Sequence, residues 1–378
     1  MKIERLTLMS EKAFSDLEER IMADVVKRLK MNGAPTATTD WEITRLQQFG
    51  ISERDITKWI AETLNVTDDT AEKMLSDGLY AQYNGQARAY KIKGVKQIPF
   101  EENARLQSLI KATTRQTHGT FQNITQSMGF AIPTAGGLRY ERLREFYTQT
   151  LDAGMIDITS GAFSYEQVLE RTVNTMTNSG LRYIDYGSGT SSRVEVACRR
   201  ALMTGYRQVQ QEMTDEVAGE LGAEYYEVSA HSGARPEHAE WQGGIYTMEQ
   251  LENICGLGDA LGLCGINCYH SYEPYFPGIS KRRYTDKQLH TMKVKDAEKV
   301  DYDGNSYNKY EALQKQRSME TQMRKYRRDA DLLKQGGASK DMIQAKQAKY
   351  KVKFAQYKDF SAAMKLPMQR DRIFIDGG

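Results

Sequence analysis

Val228-Ser229-Ala230-His231-Ser232-Gly233-Ala234-Arg235-Pro236-Glu237-His238-Ala239-Glu240-Trp241-Gln242-Gly243-Gly244 and, further on, Gly262-Leu263-Cys264-Gly265-Ile266-Asn267-Cys268-Tyr269-His270 are the parts of this chain that do not read as helix. The stretch 228–278 holds three of the five histidines, three of the four cysteines and three of the seven prolines. The chain before it and the chain after it carry helical periodicity. The sequence therefore predicts a compact, irregular and chemically dense module set among helices.

Working outward, residues 11–31 place Phe14, Leu17, Ile21, Val25 and Leu29 at three- and four-residue spacing, with Ser10 as N-cap and Asn32-Gly33 and Pro35 as stop. Thr39 to Glu42 has capping-box spacing, and Ser52 and Thr67 each offer a further helix start, so a succession of short helices is expected up to Ala87. A DNA-reading helix-turn-helix would need a basic recognition helix, and none follows. Beyond Pro99, residues 101–128 form a helix rich in Thr, Gln and Asn, suited to solvent or to an interhelical surface. Residues 139–153 make another, then a break at Gly154 to Gly161, then a helix from the Ser164 cap to Gly180. Tyr186-Gly187-Ser188-Gly189 is a turn before the next helix. It lacks the Lys-Ser/Thr pair of a P-loop and a clear preceding strand, so a tight turn with a Ser N-cap explains it better than a phosphate site.

Tyr225, Tyr226 and Val228 read as a short strand entering the module, Pro236 as a first-turn helix residue, and Gly243-Gly244 as a turn into the strand Ile245-Tyr246. After it come a short helix at 285–295 and a turn at 301–305. Met319, Met323, Tyr326, Ala330 and Leu333 then alternate spacings of four and three, Gly336-Gly337 breaks the run, and Ile343, Tyr350, Phe354, Tyr357 and Met364 give a second stripe. This is a helical hairpin, followed by a short extended Arg372 to Ile375. The fold class is mainly α, divided as 1–98 (helical), 99–221 (helical), 222–280 (small α+β module) and 281–378 (basic hairpin and tail).

With 378 residues, 27% charged and 40% hydrophobic, the composition is that of a soluble globular protein. No apolar run approaches the roughly 20 residues of a membrane span, and Glu4, Arg5, Glu11 and Lys12 leave no apolar signal-peptide core, so cytosolic synthesis with reduced cysteines is expected. Charge is uneven: residues 281–378 carry 24 Lys+Arg against 13 Asp+Glu, and residues 1–280 carry 28 against 37. A basic tail on an acidic body suits an anionic partner, packaged DNA or an acidic protein surface, as well as a solvated helical face. Lys325, Arg327, Arg328, Lys349, Lys351 and Lys353 are the candidate nucleic-acid contacts.

In the module, His238, Cys264, Cys268 and His270 offer the donors of a tetrahedral structural zinc site, with His231 and Cys255 as spares. The alternative is His and Cys packed in a small core without metal. Cys268 with His238 and Asn267 or Glu237 has the residue types of a nucleophile and base, but H-E-x-x-H and G-x-S-x-G are both missing. A structural role, not an enzyme, accounts for more of the module; a Cys/His or metal-dependent hydrolase is the rival.

The pattern His231, Gly233, Arg235-Pro236, His238, Trp241-Gln242-Gly243, then Gly265, Asn267-Cys268, His270 and Pro274 with Pro277-Gly278 resembles the phage minor capsid protein 2 family, which is related to the Mu F-like head morphogenesis proteins. His270 stands where Mu F-like proteins commonly have Cys. Gly161 to Tyr165, Ile184-Asp185-Tyr186, Val196-Ala197, Arg199-Arg200-Ala201 and Thr204-Gly205 are similar to the middle of that family, and Gln316-Arg317, Glu320, Arg324 to Arg328 and Ala348-Lys349-Tyr350 to its tail. The resemblance covers about residues 100–365 and the first 90 less specifically. It implies a virion protein of a tailed bacteriophage, in several copies in the phage head and made in the host cytoplasm. Its implied partners are the portal protein and the major capsid or scaffold protein, and its implied role is in head assembly and genome packaging or ejection.

Overall fold

The structure, a computed structural model, describes residues 3–32, 38–185 and 189–374. Helix α1 (Ile3–Asn32) turns Phe14, Leu17, Ile21, Val25 and Leu29 into the core, as the spacing predicts. It begins before Ser10, which is buried inside it rather than capping it. The stop at Gly33 and Pro35 and the side chains of Thr39 and Glu42 lie outside the described residues.

Helix α2 (Thr38–Gly85) is one continuous helix of 48 residues, about 72 Å at 1.5 Å per residue. The breaks expected at Ser52 and Thr67 do not occur. The Ser52 hydroxyl donates to Asp24 Oδ2 at 2.6 Å and accepts from Arg28 Nε at 3.1 Å, and so ties α2 to α1. The Thr67 hydroxyl donates back to Thr63 O at 3.0 Å within the helix. Polar residues at cap-like positions here serve helix packing.

Helix α3 (Ala87–Lys93) leads to α4 (Ala104–Gln126), capped by Asn103 accepting from Leu106 N. Strands β1 (Met128–Thr134) and β2 (Gly137–Arg142) form a hairpin that the periodicity does not announce, and the next helix, α5 (Leu143–Thr159), therefore starts later than 139. It also runs through Gly154, where the sequence predicts a break. A Cβ there would sit 2.9 Å from Leu29 Cδ1, so this glycine permits close approach of α1 and α5. Helix α6 (Tyr165–Ser179) has the expected Ser164 cap, with Gln167 returning the bond.

Strand β3 (Arg182–Asp185) precedes the glycine turn and β4 (Thr190–Arg193) follows it. The turn is thus a hairpin connection, although residues 186–188 themselves lie outside the described residues. Ser192 belongs to β4, and Arg193 occupies the cap position of α7 (Val194–Leu221). The four strands order as β2-β1-β3-β4, all antiparallel. Helix α7 packs on α4 and α1 through the main core. Gly205 decides the α4 contact: a Cβ there would lie 2.6 Å from Thr117 Oγ1. Thr113 and Thr117, both buried, thus belong to an interhelical surface, while Thr120 is exposed.

The module follows: β5 (Tyr225–Val228), α8 (Pro236–Ala239), β6 (Ile245–Tyr246), α9 (Met248–Asn253) and β7 (Tyr272–Tyr275), with sheet order β6-β5-β7. Tyr226, Val228, Trp241, Leu251, Cys255, Leu263, Cys268 and Tyr272 form its own small core. Helix α10 (Asp286–Ala297), capped by Thr285, and the hairpin β8 (Val300–Tyr302) and β9 (Asn305–Tyr307) lead to α11 (Lys309–Gly336) and α12 (Lys340–Ala363). These two pack together as the expected hairpin. Gly337, at φ 81°, closes α11 in the left-handed region that favours glycine. In place of the expected extended tail, α13 (Arg370–Ile373) is a short helix whose Ile373 is fully buried; Ile375 lies outside the described residues. The architecture is mainly α with small antiparallel sheets. Among the described residues no helix is long and apolar enough to cross a membrane.

Candidate metal centre

Three polypeptide segments converge beside α7. The first carries His238 on α8, whose single turn starts with Pro236 at its first position. Pro has no N–H to lose there and its φ suits the helix. The second is the loop 254–267. Cys264 and Asn267 take left-handed φ values of 61° and 55°, which folds the loop back on α8. The third is the run Cys268 to His270 that enters β7. Arg207 of α7 donates to the His270 carbonyl and anchors this run.

His238, Cys268 and His270 come together, with candidate donor atoms within 4.8 Å of one another. His238 Nδ1 lies 3.4 Å from His270 Nδ1, and Cys268 Sγ lies 3.6 Å from His270 Nδ1. The outer nitrogens are fixed. His238 Nε2 meets Leu261 O at 2.8 Å, and His270 Nε2 meets Gln242 Oε1 at 3.0 Å. Since a carbonyl oxygen only accepts, each Nε2 carries the proton and each Nδ1 keeps its lone pair. The His270 N–H donates to Cys268 Sγ at 3.4 Å. Trp241 packs tilted against His238 at 4.6 Å and edge-on to His270 at 4.9 Å, and His231 stacks on His270 at 4.4 Å.

Electrostatics keep the imidazoles neutral. Burial, then the neighbouring His231, His238 and Arg207, push His270 down to about 2. Burial also lowers His238. Neutral imidazole is the ligand form.

Cys264 does not join the group. Its Sγ turns to His270 O at 3.7 Å, and burial raises its thiol to about 11. The four-donor set read from the sequence thus becomes a three-donor set. Cys255 packs in the module core, its thiol pushed up to about 12 by burial. The catalytic grouping of Cys268 and His238 with Asn267 or Glu237 is not assembled: both nitrogens of His238 face other groups, and Asn267 and Glu237 are exposed. Sequence reasoning missed the supporting groups. Gln242 carried a signal, since it follows Trp241 in the family-like pattern; the Leu261 carbonyl and Arg207 carried none.

The six basic tail residues divide. Arg328 is buried, its Nη1 2.6 Å from Glu18 Oε2, and so is removed from any surface. Lys325 pairs with Asp329 at 2.7 Å, and Arg327 donates to Ile373 O at 3.1 Å and lies over the Phe374 ring. Lys349 and Lys351 are exposed and Lys353 half-buried on α12.

A family model described as phage minor capsid protein 2 matches residues 4–361, reaching further into the N-terminal helices than the motif resemblance does. No curated protein and no solved structure matches the chain significantly.

Proposed function

The chain belongs to the phage minor capsid protein 2 family, and from this we propose that it is a structural minor head protein, associated with the portal and the inner head, that supports head assembly and genome packaging or ejection. The observation that carries the reading is the extent of the match, residues 4–361, which takes in the helical body, the module and the hairpin together. A capsid role and a place in the virion follow from the family. The portal and the packaging or ejection steps are the finer part of the proposal.

The hydrolase reading is weaker on geometry. The His/Cys group is buried, with His238, Cys268 and His270 at 3%, 3% and 1% exposure. A cell-wall or nucleic-acid polymer needs an open cleft at the reacting atoms. Mass spectrometry of density-purified phage particles tests the reading. The chain is expected in particles, in far fewer copies than the major head protein, and cross-linked to the portal. Recovery only from the lysate, outside particles, overturns it.

DNA contact is proposed for the exposed side of α12. Reversing Lys349, Lys351 and Lys353 to Glu is expected to weaken non-specific DNA binding and to flatten its salt dependence, by about 0.9 in log–log slope for each phosphate that is no longer neutralised. Unchanged binding at low salt discards this interface.

A further inference from the structure

We propose that the module holds one zinc ion through His238 Nδ1, His270 Nδ1 and Cys268 Sγ. This inference is independent of where the chain sits in the virion.

Two of the three ligand separations fit a shared cation, and the third pair, His238 and Cys268, lies within 4.8 Å. Zinc–nitrogen bonds of about 2.0–2.1 Å and a zinc–sulfur bond of about 2.3 Å, at tetrahedral angles, place two nitrogens about 3.3–3.4 Å apart and nitrogen and sulfur about 3.5–3.6 Å apart. The observed separations are 3.4 Å and 3.6 Å.

The tautomers make the same point. Both Nε2–H groups are committed to carbonyl oxygens, those of Leu261 and Gln242. Two Nδ1 lone pairs are therefore left facing each other in a buried site. Direct hydrogen bonding does not reconcile them, since neither Nδ1 then carries a proton to donate across the 3.4 Å. A cation between them does. Second-partner bonds of this kind from ligating histidines to carbonyls orient the rings and raise their basicity. The Gln242 oxygen is itself held, accepting from His231 N at 2.9 Å.

The sulfur is prepared as well. The His270 N–H donates to Cys268 Sγ and fixes the sulfur beside the two Nδ1 atoms. Three protein ligands leave one position for water. His231 Nε2 is buried without a hydrogen-bond partner among the described residues, and its ring stacks on His270. It is the nearby acceptor available to that water. Soft sulfur with two imidazoles suits zinc over magnesium or calcium, which take oxygen ligands.

The test uses the full chain, expressed with zinc in the medium. Elemental analysis is expected to find about one zinc per chain. After exchange to cobalt, the protein should show thiolate-to-cobalt charge-transfer absorption and intense visible bands of low-symmetry coordination. Cys268→Ser and His270→Ala are expected to lose most of the metal, and Cys264→Ser to keep it. Should the first two variants fail to fold, the wild-type zinc content and cobalt spectrum still decide. Folded wild-type protein with less than about a tenth of an equivalent of zinc and no charge-transfer band overturns the proposal. So does loss of metal in Cys264→Ser with retention in Cys268→Ser.

Discussion

Replacing Arg328 by Ala is expected to cost about 3–5 kcal/mol of folding stability, read from urea unfolding. Arg328 sits in α11 but reaches into the main body. Its Nη1 is 2.6 Å from Glu18 Oε2, and its Nη2 donates to Ser15 Oγ at 3.1 Å. Glu18 Oε1 accepts from Leu181 N at 2.7 Å. The pair therefore joins α1, the residue before β3 and α11 at one buried point. Removing the guanidinium takes from a buried carboxylate the larger of the two positive charges that hold it, leaving only Arg193, and that penalty sets the size of the effect. The double change Glu18→Gln with Arg328→Met should cost markedly less than Arg328→Ala, because no buried charge is stranded. Equal losses would place the stability in packing instead. Acid should act through the same pair. Burial opposes ionisation of Glu18, but the charges of Arg328 and Arg193 and the hydrogen bonds outweigh it and hold the carboxyl below its ordinary value of 4.5. A lowered folded value means a contribution fully present above about 4.5 and lost as pH falls through the lowered value. Glu18→Gln removes that part of the acid sensitivity.

Phe360→Ala is expected to cost about 3–5 kcal/mol as well, but in one region. The ring is fully buried, with Tyr302 and Tyr307 edge-on to it at 5.2 and 5.4 Å. Around it lie Ala312, Met319, Met323, Tyr357, Met364, Leu366 and Ile373, a cluster separate from the main core. Without the ring, the β8–β9 hairpin no longer packs on the far half of α12. Amide hydrogen exchange should quicken by about two to three orders of magnitude in residues 300–307 and 354–373. The amides around Phe14 and Phe121 should keep their protection. A uniform loss across the chain would show that the tail and body unfold as one.

Much of this fold is legible in the sequence because helices carry their signal locally. The stripe on α1, the Ser164 cap and the glycine break between α11 and α12 all need only neighbouring residues to be read. The four-stranded sheet escapes such a reading for the opposite reason. Strand β1 pairs with β3, from Met128 to Tyr183, across a gap that holds β2 and two helices. Its first four residues are all buried, so no alternation marks it. The single long α2 is hidden because Ser52 and Thr67 have the composition of caps, and only the position of α1 shows what Ser52 bonds to.

The candidate site is legible to the same extent. Residue type and spacing single out His238, Cys268 and His270, and they meet. Spacing alone brings in Cys264, and its left-handed backbone turns its sulfur elsewhere. Arg328 passes for one of the exposed charges because a run of Arg and Lys looks like a solvated face. Helix α11 is instead packed by α1, α6 and α12, so residues off the apolar stripe are enclosed too.

The pairing of Glu18 with Arg328 also has a timetable. The two residues are 310 positions apart. At about 5–20 residues per second of synthesis, Glu18 emerges roughly 15–60 s before its partner. Through that interval Glu18 is without the guanidinium that neutralises it in the folded chain. Leu181 and Arg193 reach it sooner, so a chain cut short before α11 keeps those two partners of Glu18 and lacks the third, the Arg328 guanidinium.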